Sequence, residues 1–245
     1  MKKILLASGD SWTDQNFRSA PHPEMDVSWP KWPEILAKHL DMEVINLGKC
    51  GQDNIETYES IQDAVIAYGD DVGFVAVGWT HANRRGYQRW NSNLQCWEID
   101  HSQYGKITGF RLKTHVKNTV RLYMNIQILC ERYNIPYLQA QMNLLFPRKG
   151  EQSYQPFWME DDYLEGENHE ETALRELYNY DGIIDDARFL GWPPIPALNG
   201  WSMMDKYITP ESGMTISKYD GHPNKEGQEK IAEAFITRSI LLKCL

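Results

Sequence analysis

A chain of 245 residues that is 42% hydrophobic and 24% charged is long enough to bury a sizeable core and too apolar to remain disordered. Its 25 Lys and Arg against 34 Asp and Glu leave a net charge of −9. That balance argues against non-specific binding to nucleic acid or to an anionic membrane surface, both of which need a basic face. Seven of the acidic residues lie between Glu160 and Glu171, a run with no Lys or Arg. The run lacks the alternating Asp/Asn spacing and central Gly of a calcium loop, so it reads as a solvated surface.

The opening residues, Met1 to Ser8, begin like a secretory signal, but the apolar stretch stops after four residues. A signal needs roughly 7–15. No segment is long and apolar enough to span a bilayer. Cys50, Cys96, Cys130 and Cys244 are scattered, with no CxxC pair and no zinc-ligand spacing. The expectation is a reduced, cytoplasmic protein without a structural metal or cofactor.

In chain order, Lys3 to Ser8 predicts a buried first strand ended by the turn Gly9-Asp10-Ser11. Trp32 to Leu40 predicts a helix, with Trp32, Ile35, Leu36 and Leu40 on one face. Glu43 to Leu47 follows as a second strand and Asn54 to Tyr68 as a second helix, with Ile61, Ala64, Val65 and Tyr68 at helical spacing. Val72 to Val77 is a third strand. Such alternation predicts right-handed crossovers onto a parallel sheet. Beyond it, residues 79–112 are irregular, with a hairpin expected around Tyr104-Gly105-Lys106. Thr114 to Tyr133 predicts an amphipathic helix, Pro136 to Gln141 a fourth strand, and Glu171 to Tyr180 a helix within the long region 142–210. Asn224 to Leu242 closes the chain as a helix, which Asn224 is suited to cap. The expected organisation is one domain over 1–245, with loop insertions at about 79–112 and 142–210.

Chemistry-bearing residues gather where these strands end. Ser11 follows the first strand, and in a parallel α/β sheet ligands bind beyond the carboxyl ends of strands. Gly51, in Asn46-Leu47-Gly48-Lys49-Cys50-Gly51, brings an unobstructed backbone N–H to the same edge. Gly78-Trp79-Thr80-His81 follows the third strand. Asp220-Gly221-His222-Pro223-Asn224 precedes the last helix and offers a carboxylate and an imidazole. A hydroxyl becomes nucleophilic when an imidazole takes its proton, and an oxyanion needs preorganised donors. Asp10, Asp14 and His222 have no recognised metal-ligand spacing.

In their order and spacing these four blocks resemble the SGNH (GDSL-like) hydrolase family, across Gly9 to Pro223. The resemblance implies a flavodoxin-like three-layer α/β/α sandwich of about five parallel strands, and ester hydrolysis through an acyl-serine intermediate. It implies Ser11 as nucleophile, His222 as general base and acid, and the Ser11 and Gly51 amides as part of the oxyanion hole. Two positions depart from the family pattern. Where an oxyanion-donating Asn is usual, Thr80 stands, with Asn83 three residues on. The family's Asp, normally three residues before the His, is here Tyr219, while Asp220 stands two before. The orienter of His222 is then either Asp220, through a shifted turn, or a backbone carbonyl. The Asp-x-His-Pro-Asn ending is similar to SGNH-like proteins of bacteriophages, which would place the protein in a host cytoplasm or a virion.

Nine tryptophans exceed the usual need of a core this size. Trp12, Trp79, Trp90, Trp97 and Trp201 fall in or beside predicted loops, and flat aromatic faces suit sugars as well as acyl chains. Trp12 and Trp79 are the expected substrate contacts. Arg84, Arg85 and Arg89 either bind an acidic substrate group or are solvated. The leading expectation is an esterase removing O-acetyl groups from a carbohydrate, with a small molecule or glycan ester as partner. One rival is a catalytically impaired glycan-binding or phage structural module. Another is a thioesterase or lipid acyl hydrolase, which the polar 79–112 region disfavours. Oligomeric state is left open.

Overall fold

The pleat of a strand sends successive side chains to opposite faces, so a strand covered on both sides must be apolar throughout. The computed structural model meets that requirement with a five-stranded parallel sheet. It describes residues 2–82, 84, 87–91, 96–100, 109–145 and 169–242, with the backbone alone at 87–91, 96–100, 109–112 and at 169, 170, 172 and 210.

The first half runs β1 (Ile4–Ser8), α1 (Trp32–His39), β2 (Glu43–Asn46), α2 (Asn54–Tyr68) and β3 (Val72–Trp79). A two-stranded antiparallel ribbon follows, β4 (Tyr87–Asn91) with β5 (Cys96–Asp100). Then come α3 (Gly109–Arg132), β6 (Tyr137–Gln141), α4 (His169–Tyr178), β7 (Phe189–Leu190) and the short α5 (Met203–Lys206). The chain ends with the ribbon β8 (Thr215–Ser217) and β9 (Asp220–Pro223), and with α6 (Lys225–Leu241). Strand order in the sheet is β2-β1-β3-β6-β7. This is the flavodoxin-like order expected above, with its topological switch point between β1 and β3.

Two apolar layers sandwich the sheet. Leu6, Val75, Val77, Tyr137 and Phe189 face one core, with Ile61 and Val65 of α2, Val116, Val120 and Tyr123 of α3, and Leu177 of α4. Leu5, Ala7, Phe74, Ala76 and Leu138 face the other, with Trp32 and Leu36 of α1 and Ile231 and Phe235 of α6. In that second layer the rings of Trp32 and Phe235 stack at 4.6 Å with planes 7° apart. Gln228 of α6 accepts from the Trp32 backbone N–H (2.9 Å) and donates to the Trp12 carbonyl (3.1 Å), so the two helices also grip the loop after β1. Among the described residues no helix is long and apolar enough to cross a membrane.

The differences from the sequence reading are local. Helix α3 begins five residues earlier than expected, at Gly109. The fifth strand, Phe189–Leu190, has two residues, too few for any alternation to be read. Asp220–Pro223, read only as the segment before the last helix, is a strand paired antiparallel with Thr215–Ser217. The anticipated turn at Tyr104–Lys106 and most of the acidic run, 160–168, lie outside the described residues.

Phe235 has no solvent exposure and fills the contact between α1 and α6. Phe235→Ala should cost about 3–5 kcal/mol in stability. Urea unfolding would check this through a lowered midpoint at unchanged slope.

Candidate active site

The turn after β1 is built by exclusion. A Cβ on Gly9 would lie 2.4 Å from Thr13 Oγ1 and 2.6 Å from the Gly78 carbonyl, so no larger residue passes between them. Past this glycine the Asp10 carbonyl accepts from the N–H groups of Thr13 (2.8 Å) and Asp14 (3.0 Å), closing one helical turn. Ser11 rides on that turn and is 5% exposed.

Asp10 holds the turn from beneath. Its Oδ1 accepts the Trp12 N–H at 3.1 Å. Its Oδ2 accepts from Thr80 Oγ1 (2.8 Å), Arg84 (2.8 Å) and Asn143 Nδ2 (2.7 Å). Those partners follow β3 and β6, so one buried carboxylate joins three strand ends. Arg84, read above as a substrate contact or a solvated charge, is the counter-ion of Asp10. Asn143 sits 133 residues from Asp10 in sequence, and no local pattern announces it.

His222 reaches this turn from β9. Its Nε2 lies 2.8 Å from Ser11 Oγ, and its Nδ1 lies 2.6 Å from Asp220 Oδ1. A carboxylate can only accept, so Nδ1 carries the proton and Nε2 is left to accept from the serine hydroxyl. Asp220 Oδ1 also accepts the His222 backbone N–H (3.1 Å), and Oδ2 accepts from Ser19 Oγ. Asp220 is fully buried, whereas the His222 side chain is 19% exposed. Of the two partners left open above for His222 Nδ1, it is Asp220 that lies within hydrogen-bond distance, and it reaches the ring from an extended strand. Residues two apart on a strand face the same side, so an Asp two places before the His is suitably spaced once the segment is extended.

The Gly51 turn is carried to the same edge. Lys49 N–H donates to the Gly9 carbonyl (3.1 Å), and Cys50 N–H donates to Asp14 Oδ2 (2.9 Å). Gly51 has φ +87°, a conformation that favours glycine. Immediately after it, Asp53 caps α2 by accepting from Ile55 and Glu56 N–H, while Glu56 accepts from Asp53 N–H. No acceptor among the described residues takes the N–H of Ser11 or of Gly51.

Other expected site residues are placed differently. The Thr80 hydroxyl has one proton, and it goes to Asp10 in a fully buried setting. Thr80 therefore builds the site and does not offer its hydroxyl to an oxyanion. Asn83 and Arg85 lie outside the described residues, as do the side chains of Arg89, Trp90 and Trp97. Trp79 has no exposure and donates its indole N–H to Gln139 (2.9 Å), while Trp12 is 3% exposed in the opposite core. Neither indole presents a face to substrate, because both are consumed in packing the sheet. Trp201 is half-buried, with Lys206 Nζ 4.1 Å from its ring.

His81, the residue after Thr80, donates Nδ1–H to the Leu144 carbonyl (2.6 Å) and so ties the β3 loop to the β6 loop. Burial, with Arg84 nearby, lowers its pKa to about 4.

No protein-family model matches the chain, and no curated protein matches it. Solved structures similar to it include a catalytic mutant of an acetylxylan esterase from Geobacillus stearothermophilus, 14% identical, with 97% of this chain and 93% of that one covered and a TM-score of 0.47. A psychrotrophic esterase from Pseudoalteromonas is 11% identical, with 96% of each chain covered and a TM-score of 0.44. An α/β hydrolase from the metagenome of Lake Arreo is 13% identical, with 97% of this chain and 94% of that one covered and a TM-score of 0.43. At such identities the site is judged by its own geometry.

Two outcomes follow for stability. An unfolded His81 takes up its proton near pH 6.5 and the folded one near pH 4, so between these values the unfolded state binds more protons. Stability should therefore fall as pH drops from about 6.5 towards 4, and His81→Asn should flatten that slope in urea unfolding series. Asp10→Ala removes the buried acceptor shared by Trp12, Thr80, Arg84 and Asn143 and should cost about 3–5 kcal/mol, read by thermal or denaturant unfolding.

Proposed function

We propose that this chain is a serine hydrolase that cleaves a carboxylic ester through an acyl-serine intermediate. The observation that carries the reading is the unbroken relay Ser11–His222–Asp220, with contacts of 2.8 and 2.6 Å. Ser11 Oγ attacks the ester carbonyl as His222 Nε2 takes its proton, and Asp220 stabilises the imidazolium that forms. The same Nε2 proton then passes to the departing alkoxide. Water repeats the sequence on the acyl-serine, with His222 again as base. The unengaged amides of Ser11 and Gly51 are the proposed oxyanion donors, each worth about 10²–10³ in rate.

A nucleophile only 5% exposed suits a small acyl group better than a long chain. Within that class, an O-acetyl group on a carbohydrate is the substrate we propose. The rival reading as an impaired binding module rested on the displaced Asp and the altered third block. An orienter that reaches His222 from an extended strand removes the first of these motives. The Asp220-Gly221-His222-Pro223-Asn224 ending is what favours a bacteriophage-type member.

An activated phosphonate should label Ser11 alone, seen as a mass shift on its peptide, and Ser11→Ala should abolish both labelling and cleavage of small acetyl esters. His222→Ala should lower kcat by about 10⁵–10⁶ and Asp220→Asn by about 10⁴, since the His moves the proton and the Asp orients it. A native protein that neither labels nor cleaves such esters would sink the reading.

A further inference from the structure

The segment that follows the nucleophile also grips the hairpin that brings the imidazole. Ser19, 2% exposed, directs its hydroxyl at Asp220 Oδ2, the carboxylate oxygen turned away from His222 Nδ1. The His22 backbone N–H donates into the same hydroxyl oxygen at 3.2 Å. With a lone pair of Ser19 thus engaged, its single proton is left for the carboxylate. Phe17, 7% exposed, lays its ring 4.2 Å from the His222 ring at 34°. The His22 side chain reaches Ser217 of β8 at 2.7 Å, and Ser217 pairs with Asp220 in the ribbon. One stretch of chain, from Ser11 to His22, therefore supplies the nucleophile, two contacts to the Asp–His pair and one to the strand paired with it.

We infer that Ser19 is a positioning residue for the relay, fixing the plane of the Asp220 carboxylate so that Oδ1 stays on His222 Nδ1, with Phe17 holding the imidazole from its face. The inference rests on the serine-hydrolase reading for its consequence in rate, and on geometry alone for the orientation. A carboxylate held at one oxygen can rotate about its last bond. A second donor, on the other oxygen, removes that freedom and keeps the imidazole in the tautomer that accepts from Ser11.

The test compares the native chain with Ser19→Ala and Ser19→Thr, using acetyl ester kinetics and the proton NMR resonance of His222 Nδ1–H. Ser19→Ala should fold, lose about ten-fold in kcat at unchanged KM, and broaden or shift the Nδ1–H resonance upfield. Ser19→Thr keeps the hydroxyl and should restore both. A Ser19→Ala protein with native kcat and a native resonance overturns the inference. So does a fall in activity that comes through KM while the resonance is unmoved. If the native chain cleaves no ester, the resonance still decides. Its loss in Ser19→Ala upholds the positioning while the esterase reading falls, and its persistence removes both.

Discussion

Four donors converge on the carboxylate of Asp10, and through them the ends of β1, β3 and β6 become one object. A buried carboxylate stripped of partners costs several kcal/mol. The loops carrying Thr80, Arg84 and Asn143 are therefore not free to separate from the turn that bears Ser11. Arg84 supplies the opposite charge, and the three neutral donors, Trp12 N–H, Thr80 and Asn143, fill the remaining acceptor capacity. This explains why Thr80 fills the place where an oxyanion-donating Asn is usual in the resembling family: its hydroxyl is spent on holding the scaffold. The narrow passage at Gly9, between Thr13 and Gly78, imposes the same closeness sterically.

Onto that fixed turn the chain docks its other half of the site. Ser11 and His222 are 211 residues apart, yet their side chains meet at 2.8 Å. The β8–β9 ribbon makes this reproducible. Antiparallel pairing keeps Asp220 and His222 extended, so both side chains leave the same face. Asn224 then caps α6 through the Gly227 N–H (2.9 Å) and ties back to the Gly213 carbonyl (2.9 Å), anchoring the ribbon at its far end. The helix is in turn locked against α1 by the Trp32–Phe235 stack. Orientation settled before substrate arrives need not be found during the reaction, which is where preorganised sites gain their rate.

Electrostatics in the two halves differ in kind. Around Asp10 the charge is neutralised within the protein and serves architecture. Around Asp220 the carboxylate is buried, but its imidazole partner remains part-exposed at the surface where a substrate would arrive. Burial of the nearby His81 favours its neutral form, so at neutral pH this imidazole adds no positive charge beside Arg84.

The order of elements was legible in the sequence because burial on two faces demands long apolar strands, and helices announce themselves through their spacing. Ile4–Ser8, Val72–Trp79 and Asn54–Tyr68 stood within a residue or two of where that patterning put them. The positions of Ser11, Gly51 and His222 at strand and helix ends were legible for the same reason. What composition and spacing could not convey were contacts between distant segments. Asn143 and Ser19 carry no local signal. Trp12 and Trp79 look like surface aromatics until the sheet is assembled around them. The two-residue β7 is too short to have a period. Sequence by itself determined which residues stand at the edge of the sheet, since periodicity is a local property. Only the tertiary structure decided which of them hold one another, because hydrogen-bond partners are chosen by proximity after folding, and that proximity is set by packing across the whole chain.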